Sequence, residues 1–102
     1  MMRHYFLVRN NSEGSTTITD NQFINGLMAS VRKYFGEVGL SIIDPKLLRF
    51  DQTRSEAIVA CQKNHETELQ AALALMNEIA GSRIAPLTIR VSGTIKGLST
   101  HS

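Results

Sequence analysis

The chain has 102 residues, of which 42% are hydrophobic, and its 11 basic and 9 acidic side chains leave a formal net charge of only +2. This length and composition fit one globular domain with a genuine core and exclude an intrinsically disordered chain. So weak a charge excludes capture of nucleic acid by the field of the whole molecule. Any such contact needs basic residues gathered on one face.

The first third of the chain reads as a strand, a polar loop and a helix. Aromatic and branched residues at 3–9 indicate a strand. After a Ser/Thr-rich loop, Thr19 and Gln22 have the spacing of a capping box, and an amphipathic stripe continues to about Phe35. Gly36 is placed to end this helix in a left-handed conformation.

The middle of the chain reads as two strands joined by a turn. The pair Asp44 and Pro45 interrupts any regular ladder, so the second strand is expected mainly at 47–50. The third strand is expected at 55–62. Its successive apolar residues at 57–61 indicate a central strand that is buried on both faces.

A second helix and a last strand complete the pattern. Asn64 is expected to cap the helix and Gly81 to end it. The last strand is predicted at 87–96, and residues 98–102 are expected to form a short flexible tail.

The order strand–helix–strand–strand–helix–strand predicts an α+β fold. Two right-handed crossovers joined by a hairpin give a four-stranded antiparallel sheet with both helices on one face. We therefore predict a ferredoxin-like, RRM-like βαββαβ sandwich and assign residues 1–97 to this single domain. Many unrelated functions use this fold, so the fold alone names none of them.

The histidines and the single cysteine do not form a metal-binding pattern. His4, His65 and His101 are scattered, and none has a ligand spacing with Cys61. We therefore expect no metal, no cofactor and no intrachain disulfide. A signal peptide and the ~18-residue apolar run of a membrane span are also missing from the sequence, which predicts a soluble protein of a reducing compartment without a membrane partner.

No catalytic motif stands out either. Ser92-Gly93-Thr94 lacks the flanking glycines of a nucleophile elbow, and the chain has no glycine-rich phosphate loop of the P-loop or acylphosphatase kind. Self-contained catalysis therefore has little support.

In the last strand, alternation separates an apolar set from a polar one. If Leu87, Ile89 and Val91 face the helices, the others face away; these are Thr88, Arg90, Ser92, Thr94 and Lys96. A solvated edge strand would look the same, but hydroxyls and cations also suit contact with RNA phosphates and 2′-hydroxyls. Gly93 fits either a bulge or a close approach of another backbone.

The second helix carries a small apolar patch away from its core stripe, formed by Ala71, Ala74 and Leu75. Helix propensity alone explains the alanines, whereas an exposed apolar patch also suits a protein partner.

Base stacking on an aromatic sheet surface is not expected. The third strand has no aromatic residue, and only one aromatic of the first strand can face outward.

Four segments carry a resemblance to a known family. They are SVRKYFGEVGL, KLLRFD, AALALMNEIAG and IRVSGTIKG, and they resemble small protein subunits of ribonuclease P and RNase MRP. These are the Pop-five family and its near relative, the Rpp-fourteen family. The likeness covers roughly residues 30–97 and is sharpest at 35–39 and 91–96. The first strand departs from the usual family pattern.

The resemblance implies a non-catalytic role. In this family an RNA subunit cleaves precursor tRNA, and the protein shapes that RNA in the nucleus or nucleolus of eukaryotes or the cytoplasm of archaea. Implied partners are the ribonuclease P or MRP RNA, a protein subunit of the Rpp-one/Rpp-thirty type, and a related small subunit in a dimer.

The expected contacts follow from the patterns together with this resemblance. For RNA they are Arg90, Ser92, Gly93, Thr94 and Lys96, with Arg49, Arg32 and Lys33 as weaker candidates. For a protein partner they are Phe35, Gly36, Val38, Gly39, Ala71, Ala74 and Leu75. The alternatives are a regulatory or small-molecule-binding dimerisation module that binds no RNA, and an acylphosphatase-like enzyme.

Overall fold

The computed structural model describes residues 2–10, 18–79 and 81–98, which form six strands and three helices. In chain order these are β1 (Arg3–Asn10), α1 (Asp20–Ile43), β2 (Lys46–Asp51), β3 (Glu56–Gln62), α2 (Glu66–Leu75), β4 (Glu78–Ile79), β5 (Ser82–Arg83), β6 (Pro86–Ser92) and α3 (Ile95–Leu98). No helix within the described ranges combines the length and the apolar character needed to cross a membrane.

The four long strands form one antiparallel sheet in the order β2-β3-β1-β6, and β4 pairs with β5 as a separate hairpin. The predicted ferredoxin-like arrangement is confirmed. Both long helices cover the sheet face that carries Phe6 and Val8, where they enclose the core. The prediction for β3 is also confirmed, since residues 57–61 are all buried.

Helix α1 begins as predicted and then bends. Thr19 Oγ1 accepts a hydrogen bond from the Gln22 amide at 3.1 Å, and Gln22 Oε1 accepts one from the Thr19 amide at 3.0 Å. Gly36 interrupts the helix with φ 76° and ψ 179°, but a second helical segment follows and ends at Ile43. Gly36 therefore breaks the helix with a positive φ, but it does not end α1 as predicted, because helical hydrogen bonding resumes after one residue.

Two glycines make this bend possible. The conformation of Gly36 belongs to a region that is essentially closed to other residues. One turn later, a Cβ on Gly39 would lie 2.5 Å from the Cβ of Phe35, closer than two carbons can approach. Segment 35–39 is thus a helix kink in which Phe35 packs directly on the backbone of Gly39.

Replacement of Gly36 by alanine should lower the free energy of unfolding by about 1–3 kcal/mol, because the positive φ must then be held against a Cβ. Urea denaturation measures the loss. Ser41→Ala, at an exposed position of the same segment, is the control and should change stability by less than about 0.5 kcal/mol. Equal stability of the Gly36 variant and the wild type would contradict the kink.

The second crossover differs from the prediction at both ends of its helix. Asn64 has a positive φ of 76°, and His65 occupies the N-cap without a side-chain hydrogen bond. The helix already ends at Leu75, and Gly81 lies between β4 and β5 with φ 81° instead of ending the helix. Tertiary packing explains why the helix ends early. Ile79 of β4 is buried against α1, so close to Gly26 that a Cβ on this glycine would touch the Ile79 side chain.

The last strand is shorter than predicted. Strand β6 ends at Ser92, and the chain then turns into α3, so the strand prediction for residues 93–96 is wrong. Leu98 is buried within α3, which extends the packed structure one residue beyond the predicted domain limit. The rest of the predicted tail, residues 99–102, lies outside the described residues.

Candidate functional site

The sheet has an open face, which points away from α1 and α2 and carries Tyr5, Leu7 and Arg9 of β1. Cross-strand partners point to the same side of a sheet. Arg90 is the partner of Leu7, and Ser92 is the partner of Tyr5. Both therefore belong to the open face, as the sequence predicts.

A bulge breaks the predicted alternation in the first half of β6. The register between β1 and β6 shifts at Ile89, so that Thr88 lies opposite the buried Val8, on the helix side, and Leu87 lies opposite Arg9. The predicted faces of Leu87 and Thr88 are therefore wrong. An extra residue in one strand reverses the faces beyond it. The bulge lies at Ile89 and not at Gly93.

The apolar residues of β6 are not buried against the helices. Leu87, Ile89 and Val91 are 51%, 38% and 41% exposed. Strand β6 is an edge of the sheet, so one side of it has no neighbouring strand among the described residues. Strand β6 therefore presents exposed apolar side chains along the edge of the sheet, with Leu87 on the open face.

The hydroxyls of the SGT segment shape the turn that follows β6. Ser92 Oγ accepts a hydrogen bond from the Thr94 amide at 3.1 Å, and Thr94 Oγ1 accepts one from the Gly97 amide at 3.0 Å. Arg90 donates to the Gly97 carbonyl at 3.5 Å. These bonds begin α3 and set its direction. A hydroxyl that accepts one hydrogen bond can still donate its own proton to an RNA phosphate.

Helix α3 folds back over the open face, where it packs against β1 and β6. Between α3 and the β2–β3 hairpin lies a groove of about 490 Å³, which we call the α3 groove. Its apolar lining consists of Leu7, Ala57, Ile58, Ile95 and Leu98. The prediction of a plain, outward-facing strand at 93–96 missed this groove, because only the fold-back of α3 creates it.

Three arginines and two carboxylates also line the α3 groove; they are Arg9, Arg49, Arg54, Asp51 and Glu56. Arg9 donates to Glu56 Oε2 from Nη2 at 2.6 Å and from Nε at 3.1 Å, so its charge is neutralised. Arg49 and Arg54 pair with none of the carboxylates in the part of the chain that the structure describes. Two exposed cations therefore border an apolar floor.

The predicted RNA contacts fall into two groups. Arg49 shares the open face with Arg90 and Ser92. Arg32 and Lys33 belong to α1 on the opposite side of the sheet, where Arg32 pairs with Glu37 at 2.9 Å and Lys33 lies 5.4 Å from the centre of the Tyr34 ring. The structure does not bring this second pair together with the first group.

Sequence reasoning missed the other groove residues. A signal for Arg9 existed, because it alternates with Tyr5 and Leu7 while Phe6 and Val8 point inward. No pattern marks Arg54, which lies in the turn after β2, and its position depends on the hairpin register.

The predicted protein contacts form two separate patches. Val38 is 73% exposed, while Phe35 is half-buried against the core. On α2, Ala74 and Leu75 are exposed and Ala71 is half-buried. The first patch lies near the β2 edge of the sheet and the second near the β6 edge, because α1 packs against β2 and α2 against β6.

Both histidines of the described ranges lie beside a carboxylate. His4 Nδ1 lies 2.6 Å from Glu66 Oε2, and His65 Nδ1 lies 3.3 Å from Glu68 Oε2. Burial raises the pKa of the Cys61 thiol to about 12, with a further contribution from the negative charge of Glu66. No cluster of three or more histidine, cysteine or acidic residues with metal-binding geometry occurs within the described ranges, and His101 lies outside them.

Comparison with known proteins decides the family. The sequence model of a protein family, described as the Rpp14/Pop5 family, matches residues 4–101 of this chain. The chain belongs to the Rpp14/Pop5 family. This confirms the resemblance that the FGEVG and VSGTIK segments carry.

Two archaeal relatives illustrate the similarity of this Rpp14/Pop5 chain at the sequence level. It is 41% identical over 63 residues to "Ribonuclease P protein component 2" of Pyrococcus horikoshii, a match that covers 62% of this chain. The match spans about half of that relative, 52% of its length. The protein of the same name from Pyrococcus furiosus is 31% identical over 86 residues, which cover 79% of this chain and 72% of the relative.

A solved structure supports the fold of this Rpp14/Pop5 chain. A chain in "Cryo-EM structure of yeast Ribonuclease MRP" superposes on it with a TM-score of 0.74, covering 91% of this chain and 75% of that chain. At 14% identity, this likeness shows a shared fold.

Proposed function

We propose that this chain is a non-catalytic protein subunit of ribonuclease P, of RNase MRP, or of both, which binds and shapes the catalytic RNA for 5′ processing of precursor tRNA. The observation that carries the proposal is the family match over residues 4–101. The names of the archaeal relatives, all "Ribonuclease P protein component 2", support it further. In an archaeal source the site of action is the cytoplasm, and in a eukaryotic source it is the nucleus or nucleolus.

The RNA contact in this proposal lies on the open face. Arg90, Ser92, Gly93 and Thr94 form the corner where β6 meets α3, and Lys96 is exposed on α3. A Cβ on Gly93 would meet only His4 Nε2, at 3.8 Å, so there is room for an RNA backbone beside it. Cations and hydroxyls of this kind grip phosphates and 2′-hydroxyls without reading sequence. Arg32 and Lys33 provide a second, separate contact on α1.

The protein contacts use the two apolar patches. The patch on the second half of α1, shaped by Phe35, Gly36 and Gly39, presents Val38. The patch on α2 comprises Ala71, Ala74 and Leu75. In the proposal one patch receives a protein subunit of the Rpp-one/Rpp-thirty type and the other a related small subunit in a dimer.

Purification of the affinity-tagged full chain from its source tests this proposal. Ribonuclease P or MRP RNA and sister protein subunits should co-purify, and the eluate should cleave precursor tRNA at its 5′ end. Degradation of the RNA with micrococcal nuclease, followed by inactivation of that nuclease, should abolish cleavage, and the purified chain alone should show none. Absence of both the RNA and the sister subunits would refute the subunit role.

A further inference from the structure

We infer that the α3 groove binds an unpaired nucleotide within a single-stranded segment of RNA, with the base on the apolar floor and the phosphate at Arg49 and Arg54. The inference deepens the proposed function and rests on it, since it specifies where and in which form the RNA is held. The RNA contact then includes Arg54 and Ile95, and neither residue was predicted from the sequence as a site residue.

The floor of the α3 groove offers what a base needs. Leu98 is buried while Ile95 is 46% exposed, and both line the groove opposite Leu7 and Ile58. An exposed isoleucine above an apolar floor provides a surface that the flat face of a base can cover. Proteins that bind unpaired RNA commonly stack splayed-out bases on aromatic or arginine side chains; here aliphatic side chains offer the base apolar contact instead.

The rim of the α3 groove offers what a phosphate needs. Arg49 and Arg54 are exposed, and the ion pairs of the described residues leave their guanidinium groups without a carboxylate. One carboxylate oxygen of Asp51 is already engaged, because Oδ1 accepts a hydrogen bond from the backbone amide of Arg54 at 3.1 Å. Arg9 is tied to Glu56 and adds little positive charge. The unpaired positive charge is thus confined to the hairpin side of the groove.

The size of the α3 groove favours a single strand over a duplex. Its volume of about 490 Å³ falls within the range of roughly 300–1,000 Å³ typical of sites for small molecules. One nucleotide fits such a space, whereas the faces of the bases in an A-form helix are stacked on one another inside the duplex. The groove therefore requires a base that is free to leave its stack.

Fluorescence anisotropy with the full chain tests the inference. The probes are a fluorescein-labelled single-stranded oligouridylate and a labelled RNA hairpin duplex of the same length, with unlabelled UMP as competitor. Oligouridylate should bind more tightly than the duplex. Combining Arg49→Ala with Arg54→Ala should weaken oligouridylate binding about tenfold, through loss of the phosphate contacts.

Salt titration separates the phosphate contact from the base contact. For single strands, each lost phosphate contact should reduce the slope of log K against log salt by about 0.7. The arginine variants should therefore show a shallower slope. Ile95→Ala should weaken binding several-fold with an unchanged slope, because it removes only apolar contact.

A matched pair of substitutions controls for net charge. Arg83→Ala combined with Lys63→Ala removes the same two charges at exposed positions outside the α3 groove. This control should bind oligouridylate nearly as well as the wild type. Equal loss of affinity in the control pair and the groove pair would overturn the inference, as would preference for the duplex. Displacement by UMP as effective as that by oligouridylate would assign the groove to a free nucleotide instead.

The outcome for the groove is distinguishable from the outcome for the subunit role. If the groove variants bind oligouridylate as the wild type does but the tagged chain still co-purifies with ribonuclease P or MRP RNA, the groove inference fails and the subunit role stands. If the wild type co-purifies with neither the RNA nor sister subunits, the subunit role fails whatever the groove binds.

Discussion

Leu73→Ala should lower the free energy of unfolding by about 2–5 kcal/mol, because truncation of a buried leucine loses its transfer free energy and leaves a cavity. Leu73 is only 2% exposed and belongs to the core between α2, α1 and the sheet. For a domain of this size, each 1 kcal/mol shifts the melting temperature by roughly 4–8 °C. Urea denaturation and thermal melting followed by circular dichroism measure the effect.

The matched control for this substitution lies on the same helix. Leu75 is 48% exposed, so Leu75→Ala should change the free energy of unfolding by less than about 0.5 kcal/mol. Equal destabilisation by the two leucine variants would show that α2 is oriented differently from the structure.

Leu75→Glu should also keep the fold, and under the proposed function it should reduce co-purification of sister protein subunits.

Asp44→Ala should lower the free energy of unfolding by about 2 kcal/mol at neutral pH. About half of this is the loss of the Arg3 contact and about half is strain at a left-handed residue. Arg3 Nη2 donates to Asp44 Oδ2 at 2.6 Å and Arg3 Nη1 to the Asp44 carbonyl at 3.1 Å. Asp44 itself ends α1 with φ 49°. The residue thus joins the start of β1 to the end of α1.

The Arg3 hydrogen bond holds the pKa of the Asp44 carboxyl below its usual value of 3.8, and the charges of Lys46 and Arg3 act in the same direction. A lowered pKa in the folded state means that the ionised form stabilises the fold. This contribution is complete well above pH 3.8 and is lost as the pH falls through the lowered pKa of the folded state.

Asp44→Asn isolates the charge, because asparagine tolerates the left-handed conformation as aspartate does. The wild type should be more stable than this variant by about 1 kcal/mol at neutral pH. The difference should shrink as the pH is lowered below 3.8, where the carboxyl becomes protonated. Urea denaturation across this pH range measures it. A difference that stays constant down to acid pH would contradict the assigned ion pair.

Several elements of this fold follow from neighbouring residues alone. The capping box at Thr19, the break at Gly36 and the buried strand at 57–61 depend on spacing, backbone freedom and apolar runs. The order of the elements then leaves few ways to build a sheet. The early part of α1 and the β2–β3–β1–β6 order were therefore predictable.

The candidate site was predictable only in part. Arg90 and Ser92 follow from alternation near the end of β6, and Arg49 was identified as a cation of the second strand. The α3 groove was not predictable, because it requires the chain to reverse after Ser92 and bury Leu98 against the open face. Arg54 enters the groove through a hairpin register that no short sequence pattern encodes.

The sequence by itself determined the family, the order of the elements and the supply of hydroxyls and cations in IRVSGTIKG. Tertiary structure alone decided which of these side chains meet. The bulge at Ile89 reverses the faces of Leu87 and Thr88, and the fold-back of α3 turns part of an edge strand into the wall of a groove. Periodicity is a local property, whereas strand register and helix docking depend on contacts between residues far apart in the chain.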